Sequence, residues 1–368
     1  MSILLSISSE HGPYPLVVGH GLLESFGREL AQLGIPTHTR LFIVTDESVQ
    51  AQGYLQTLLD ACMQGGYTTA TAVIPPGDAS KSWTVAESLF QQMLDAGIRR
   101  HGIVIALGGG VVGDLAGFVA ATYLRGIRFI QVPTTLLAHD SSIGGKVGIN
   151  LNRGKNLVGA FHAPIGVLYD VESLQTLPSR EWQNGMAEVI KHGIIGDAAL
   201  FGSLELTPMP SYPGAKRAEQ LIAQACSVKI RVIEQDETER GIRMWLNLGH
   251  TVGHAVESVS HYALGHGEAV SIGLSVEAHI AEARGLLTAN DRQRITKLLR
   301  DHKLPVTPPN YPFSQIVDVL EVDKKHTDDG WTFVLPQGIG NVETVRDVAY
   351  AEVQSAWEQA LKERRNEE

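Results

Sequence analysis

The sequence predicts an α/β domain followed by a mostly helical domain. Short apolar runs alternate with amphipathic stretches in the first half, and helical patterns dominate the second half. The chain has 368 residues, of which 43% are hydrophobic and 19% are charged, so it is long enough for two domains with well-formed cores. This composition excludes a largely disordered chain.

Five apolar runs in the first half predict strands, and helical patterns at 21–33 and 82–96 lie between them. The runs are almost continuously apolar, as expected for parallel strands that are buried on both faces. We therefore expect a parallel, Rossmann-like sheet with helices on both sides. The predicted strands are 16–19, 41–45, 70–74, 103–107 and 129–132.

After Pro178 the pattern becomes helical, and 331–335 is the one run that suggests a strand. We place the domain boundary there and predict an α/β domain at 1–177 and a helical domain at 178–368. The predicted helices of the second domain are 180–195, 215–234, 251–259, 268–284 and 291–301.

Charge and cysteine content narrow the possible partners. A net charge of −10 and a pI of about 5.8 argue against a nucleic-acid partner. Cys62 and Cys226 cannot form a disulfide framework or a cysteine-based zinc site. The N-terminus lacks the features of a signal peptide, and the longest apolar stretch is too short to cross a bilayer. We expect a soluble cytoplasmic protein without a membrane partner.

A glycine-rich segment at 107–114 follows a predicted strand and opens a predicted helix. Glycines there let backbone amides approach a pyrophosphate, although a plain tight turn is the alternative. Asp46, at the end of another strand, suits a ribose hydroxyl or a helix N-cap. Lys81 follows a third strand, where it suits a phosphate or the surface. We favour a nucleotide-binding α/β domain.

A second glycine-rich stretch at 140–150 contains Lys146, and Lys155 and Asn156 follow it. Polar donors beside flexible backbone suit an anionic substrate. The alternative is an ordinary loop with surface lysines. We favour the functional interpretation because Lys146 is embedded among glycines and apolar residues.

Imidazole and carboxylate groups cluster in the helical half. Glu188 and Lys191 share a helix face, as a site or as a simple ion pair. His250 and His254 have the i, i+4 spacing of metal ligands, and His266 opens another helix. Spacing does not decide which two histidines bind, but the donor types favour Zn²⁺ or a similar ion. Together with the glycine turn, these residues predict a metal- and NAD-dependent enzyme for an anionic polyol.

Seven motifs, in order along nearly the whole chain, resemble those of the 3-dehydroquinate synthases in the sugar-phosphate cyclase superfamily. They are GGGVVGDLAGFVA (108–120), VPTTLLA (132–138), DSSIGGK (140–146), NGMAEVIK (184–191), LNLGHTVGHA (246–255), HGEAVSIG (266–273) and DKK (323–325). One departure is that His139 alone separates LLA from DSS, where the family pattern has one residue more.

The resemblance implies a reaction, two cofactors and a homodimer. The substrate would be 3-deoxy-D-arabino-heptulosonate 7-phosphate, and the products would be 3-dehydroquinate and phosphate. Transient oxidation at C5 with NAD⁺ would permit phosphate elimination, and reduction, ring opening and intramolecular aldol closure would follow. The cofactors would be NAD and a divalent metal, zinc or cobalt.

The resemblance also implies roles for individual residues. The metal ligands would be Glu188, His250 and His266. Lys146, Asn156, Asn247, His254 and Lys324 or Lys325 would lie near the substrate phosphate, with Arg125 from a neighbouring subunit. Lys229 and Arg243 would clamp the carboxylate, and Asp140, Lys155 and Lys191 would line the reacting centre. The NAD contacts would be Asp46, Asp78, Lys81, Gly109, Gly110, Asp114, Thr134 and Thr135, with Lys146 and Lys155 also beside the cofactor.

Three other classes remain to be compared with this one. They are another sugar-phosphate cyclase, a metal-dependent polyol dehydrogenase with net NADH release, and a non-catalytic binding protein. The pair Lys229 and Arg243 favours a carboxylated substrate, although an amino analogue would use it equally. The intact set Lys146, Glu188, His250 and His266 argues against a non-catalytic protein.

Overall fold

The structure, a computed structural model, describes residues 2–10, 12–151, 154–239, 241–322, 326–327 and 330–365. It divides into two compact units. The first contains Met1–Pro178 and Pro213–Cys226, and the second contains Ser179–Tyr212 and Ser227–Glu368. The predicted domain boundary at 177/178 stays a prediction. It differs from these units mainly at Pro213–Cys226, which the prediction places in the second domain and which here belongs to the first unit.

Strands and helices alternate along the first unit. In chain order they are β1 (Ile3–Ile7), β2 (Tyr14–Gly19), α1 (Phe26–Gln32), β3 (Arg40–Asp46), α2 (Glu47–Ala51), α3 (Tyr54–Gln64), β4 (Thr68–Ile74), α4 (Trp83–Asp95), β5 (Ile103–Gly108), α5 (Gly110–Thr122), β6 (Arg128–Pro133), α6 (Ala138–Ser141), β7 (Lys146–Leu151), β8 (Gly154–Phe161) and β9 (Val167–Asp170). Short 3₁₀ turns lie at Asp78–Ser80, Tyr123–Arg125 and Val171–Thr176.

Seven of these strands form one sheet in the order β1-β2-β9-β6-β5-β3-β4. Every neighbouring pair is parallel except β1 with β2. Every residue of β5 is buried, because helices cover both faces of the sheet and each face has its own apolar core. The predicted fold class is confirmed, and the five predicted strands correspond to β2, β3, β4, β5 and β6.

Sequence patterns missed three features of the first unit. The predicted helix at 21–33 begins later, at Phe26. Strands β1 and β9 escaped prediction because they are short: β1 is an edge strand of five residues, and β9 is an interior strand of four. The stretch 140–150 is not an ordinary loop, since it forms α6 and then β7, which pairs with β8 in a separate antiparallel hairpin.

Helices dominate the second unit. In chain order they are α7 (Ser179–Gly196), α8 (Ala198–Leu206), α9 (Ala215–Gln235), whose first part belongs to the first unit, α10 (His250–Val259), α11 (His266–Ala283), α12 (Ala289–Asp301), α13 (Phe313–Val322) and α14 (Tyr350–Arg365). A 3₁₀ turn at Ile242–Asn247 precedes α10. Strands β10 (His326–Thr327), β11 (Gly330–Pro336) and β12 (Val342–Val348) form a small antiparallel sheet. Only β11 is predicted by the sequence.

Glycines bring α7, α10 and α11 unusually close together. A Cβ on Gly273 of α11 would lie 1.9 Å from the carbonyl oxygen of Gly249, directly before α10. A Cβ on Gly267 of α11 would lie 2.1 Å from the carbonyl oxygen of Asn184 in α7. The chain can therefore pack these backbones against one another only where a side chain is missing. None of the described helices combines the length and hydrophobicity that a bilayer crossing needs.

Candidate active site

The glycine turn of the first unit joins β5 to α5. Gly109 is the N-cap of α5, where no side chain caps the helix. A Cβ on Gly109 would lie 2.9 Å from Thr135 Cγ2, and one on Gly110 would lie 3.1 Å from Ser141 Oγ. The glycines here permit close approach, and the helix N-terminus offers backbone N–H groups that suit an anion.

Lys81 lies at the centre of a polar cluster beside α5. Its Nζ is 2.7 Å from Asp114 Oδ2 and also donates to Asn156 Oδ1. Asp78 Oδ2 lies 3.4 Å from Lys155 Nζ and accepts a 2.9 Å hydrogen bond from Asn150. Only 5% of Lys81 is exposed, so the alternative of a surface lysine is wrong. The structure thus brings five sequence-predicted residues together.

The segment after β6 packs against the glycine turn. The backbone N–H of Thr134 donates to Gly108, and Thr135 faces Gly109 as described above. His139 is fully buried, with Nδ1 2.6 Å from the carbonyl oxygen of Leu136. The carbonyl of His139 accepts a hydrogen bond from the Cys226 thiol. His139 therefore has a structural place in the shortened segment, directly before Asp140 in α6.

Three further predicted residues of the first unit have these positions. Asp46 caps α2 by accepting a hydrogen bond from the Val49 N–H at 2.9 Å, so the N-cap alternative is correct. Arg125 is exposed and has a φ of +70°, and Lys146 is exposed at the start of β7. Their proposed contacts with NAD or substrate stay predictions.

Three side chains converge at a candidate metal centre in the second unit. Glu188 Oε1 in α7 lies 3.2 Å from His266 Nε2 and 3.4 Å from His250 Nε2. One ligand atom from each of the three residues lies within 4.8 Å of the others, as in a set of ligands around one ion. Glu188 is 1% exposed, whereas the two imidazoles are partly exposed. Two imidazoles and one carboxylate fit Zn²⁺ or a similar divalent ion.

The outer nitrogens of both imidazoles have acceptors. His250 Nδ1 lies 3.0 Å from the carbonyl oxygen of Leu248, and His266 Nδ1 lies 3.5 Å from Glu257 Oε2. A donor role for each Nδ1 leaves Nε2 to supply the lone pair for a metal ion, once His266 has lost its second proton. Glu257 was not predicted as a site residue. Its position three residues after His254 was the available signal, since i, i+3 side chains share a helix face.

A buried lysine accompanies the candidate ligands. Lys191 Nζ contacts Glu188 Oε2 and donates a 2.9 Å hydrogen bond to the carbonyl oxygen of Leu246. Both side chains are 1% exposed. The ion-pair interpretation of Glu188 and Lys191 is therefore correct, and it coexists with the proximity of Glu188 to the histidines.

The two histidines differ in their affinity for a proton. Burial lowers the pKa of His250 well below its usual range, and the nearby Lys191 lowers it further. Burial also lowers the pKa of His266, but hydrogen bonds with Glu188 and Glu257 outweigh it and raise the pKa to about 9. His250 is thus neutral at pH 7, and His266 carries a proton until a cation displaces it.

We expect metal affinity to rise with pH because a metal ion must displace the proton of His266. Below the pKa of about 9 the proton competes, so the apparent affinity for Co²⁺ should increase about tenfold per pH unit between pH 6.5 and 8.5. Calorimetry of Co²⁺ binding in two buffers of different ionisation enthalpy should show release of about one proton at pH 7. Binding without proton release would contradict this prediction.

The structure also gives the positions of the other predicted site residues of the second unit. Arg243 is 1% exposed and donates from its side chain to the carbonyl of Glu237, while its backbone N–H donates to Asp236. Asn247 donates to Glu239 at 3.2 Å. The His254 ring lies 5.2 Å from the His250 ring, and Lys229 is buried in α9. Lys324 and Lys325 lie outside the described residues.

Solved structures share this architecture. A 2-epi-5-epi-valiolone synthase from Streptomyces hygroscopicus, with NAD⁺ and Zn²⁺ bound, has a TM-score of 0.87 and 29% identity, covering 95% of this chain and 97% of its own. A 2-deoxy-scyllo-inosose synthase with carbaglucose-6-phosphate, NAD⁺ and Co²⁺ has a TM-score of 0.87 and 25% identity, covering 97% and 99%. The chain is therefore similar in fold to synthases of this class, which bind NAD⁺ together with Zn²⁺ or Co²⁺.

Sequence comparison narrows the class further. The sequence model of the family "3-dehydroquinate synthase N-terminal" matches residues 71–184, and that of the family "3-dehydroquinate synthase C-terminal" matches residues 185–326. A 3-dehydroquinate synthase from a Synechococcus species is 42% identical over 359 residues, which is 96% of each chain. The chain belongs to the 3-dehydroquinate synthase family, and the resemblance seen in its motifs is confirmed.

Proposed function

We propose that this chain converts 3-deoxy-D-arabino-heptulosonate 7-phosphate to 3-dehydroquinate and phosphate. It would act as a phosphorus–oxygen lyase without net oxidation or reduction. The observation that carries the proposal is the convergence of Glu188, His250 and His266, from three different helices, in a chain of this family. The glycine turn after β5 and the cluster around Lys81 support NAD as the second cofactor.

Three side chains of the second unit would bind a divalent ion, and a lysine would offset the negative charge of one of them. Glu188, His250 and His266 supply one charged and two neutral donors once His266 has lost its proton. In this reaction NAD supplies a hydride acceptor, and the metal supplies a Lewis acid that polarises the substrate hydroxyl. The ammonium of Lys191 lies against the Glu188 carboxylate and would offset its charge.

Cationic and amide side chains would recognise the two anionic ends of the substrate. We assign Lys229 and Arg243 to the carboxylate, because a buried guanidinium can hold a carboxylate through two parallel hydrogen bonds. The assigned contacts near the phosphate are Lys146, Asn156, Asn247 and His254, with Lys324 or Lys325. Asp140, Lys155 and Lys191 are assigned to the reacting centre.

A homodimer in the cytoplasm completes the proposal, with Arg125 of one subunit reaching the substrate phosphate of the other. Two exposed apolar side chains on strand β8 support a protein partner: Leu157 is 61% exposed and Phe161 is 50% exposed. Cys62 and Cys226 are buried thiols, which suits a reducing compartment.

The decisive assay combines the purified chain with the proposed substrate, catalytic NAD⁺ and Zn²⁺ or Co²⁺. We expect equal amounts of phosphate and 3-dehydroquinate, with no net NADH. No turnover on this substrate would overturn the proposal, and turnover of the amino analogue or of glucose 6-phosphate instead would identify another cyclase. Steady accumulation of NADH from a plain polyol would identify a dehydrogenase.

A further inference from the structure

Both candidate metal-binding histidines open their helices. His250 is the first residue of α10 and His266 is the first residue of α11, and a glycine precedes each as the N-cap. A glycine has no side chain with which to cap a helix. The position of each imidazole therefore depends on what holds the backbone around Gly249 and Gly265.

At α11 the acceptor comes from the helix itself. Glu268, the third residue of α11, accepts a 2.7 Å hydrogen bond from the Gly265 N–H, as the acidic residue of a capping box does. The equivalent position of α10 is Val252, which has no acceptor. The N–H of Gly249 instead donates at 2.5 Å to Glu277 Oε2, from the middle of α11.

This contact reaches the ring of His250 through one peptide group. The N–H of Gly249 and the carbonyl of Leu248 belong to the same planar peptide, so holding one fixes the direction of the other. The carbonyl of Leu248 is the acceptor 3.0 Å from His250 Nδ1. A carboxylate, a peptide and an imidazole thus form a chain of hydrogen bonds that ends at Nε2, facing Glu188.

Gly249, which joins this peptide to His250, has little freedom. Gly249 has a φ of +79°, and a Cβ on Gly273 would lie 1.9 Å from its carbonyl oxygen. Gly273 and Glu277 are four residues apart on one face of α11. Glu277 is fully buried, so its carboxylate does not exchange this N–H for bulk water.

We propose that Glu277 is a positioning residue for the metal centre, acting on His250 through the Leu248–Gly249 peptide. The carboxylate of Glu257 lies close to His266 Nδ1. The carboxylate of Glu277 instead acts on His250 Nδ1 through an intervening peptide group. The proposal rests on the proposed metal centre. Groups that orient a metal ligand typically change metal affinity by 10- to 100-fold when they are removed.

The test measures Co²⁺ binding to the purified full chain by its visible absorption, together with the thermal unfolding midpoint of the metal-free protein. We expect Glu277→Ala to weaken Co²⁺ binding about 10- to 100-fold and to alter the absorption bands, because the His250 ring loses its fixed orientation. Glu277→Gln retains an oxygen acceptor, so we expect most of the affinity to return. The control Ile280→Ala removes a buried side chain from the same helix and should lower the midpoint without changing the bands.

The outcomes separate this proposal from the metal centre itself. If the unmodified protein binds no Co²⁺, the metal centre is wrong. If it binds Co²⁺ and Glu277→Ala binds with the same affinity and absorption, Glu277 has only a structural role and the proposal is overturned. If Glu277→Ala does not fold, Glu277→Met decides, because it fills the same space without an oxygen acceptor: we expect weaker Co²⁺ binding with altered bands, and unchanged binding would overturn the proposal.

Discussion

Glu188→Gln should lower the rate of phosphate release by on the order of 10³-fold. The substitution keeps the shape of the side chain but removes the only charged donor of the Glu188, His250 and His266 set. A metal acting as a Lewis acid is worth several kcal/mol in the transition state, and each 1.36 kcal/mol corresponds to a tenfold change in rate. Lys191 would also lose its buried anionic neighbour, which adds a loss of stability.

The matched control is Glu181→Gln, an exposed position on the same helix, which should leave the rate unchanged. Bound metal is determined by elemental analysis beside the phosphate assay. Treating the unmodified protein with a chelator should reproduce the loss, and added Zn²⁺ or Co²⁺ should reverse it. Full activity of Glu188→Gln, with no bound metal in either protein, would rule out the assigned ligand set.

Gly267→Ala should destabilise the second unit by about 3 kcal/mol and weaken metal binding at least tenfold. The new Cβ would lie 2.1 Å from the carbonyl oxygen of Asn184 and 2.5 Å from its Cα, and backbone atoms cannot turn aside as a flexible side chain can. The start of α11 must therefore move away from α7. His266 directly precedes the substituted residue, so its Nε2 would leave Glu188.

Gly202→Ala is the matched control because it changes the same residue type in a helix of the same unit. Apart from the backbone of its own helix, no described atom lies within 4 Å of the added Cβ, so we expect slight stabilisation, by about 0.5–1 kcal/mol. Urea unfolding and Co²⁺ titration measure both effects. If Gly267→Ala unfolds at the same urea concentration and binds Co²⁺ as tightly as the unmodified protein, then α7 and α11 are not packed as closely as described.

Much of the first unit was predictable because its signals are local. A buried parallel strand such as β5 must be continuously apolar, and a glycine run after it marks a close backbone approach. The hairpin of β7 and β8 was not predictable. Its glycines and half-exposed residues resemble a loop, and only pairing with another strand distinguishes the two.

The candidate metal centre was likewise only partly predictable from the sequence. The sequence offered His250, His254 and His266 as candidate ligands without deciding which two bind, and only the motif resemblance selected His250 and His266. In the structure His266 joins Glu188 and His250, although 78 positions separate it from Glu188. Which imidazole nitrogen faces the carboxylate depends on Leu248 and Glu257, which no local pattern connects to both histidines.

The sequence by itself determined the family, the donor chemistry and the change from alternating strands and helices to a mostly helical second half, because residue type and spacing along the chain carry that information. Only the tertiary structure decided that Glu277 holds the peptide before His250 and that Lys81 is buried beside Asp114. The physical reason is that these contacts join residues far apart in the chain. The contact of Glu277, for example, depends on how closely α11 packs against the start of α10, where Gly273 leaves room for the backbone of Gly249.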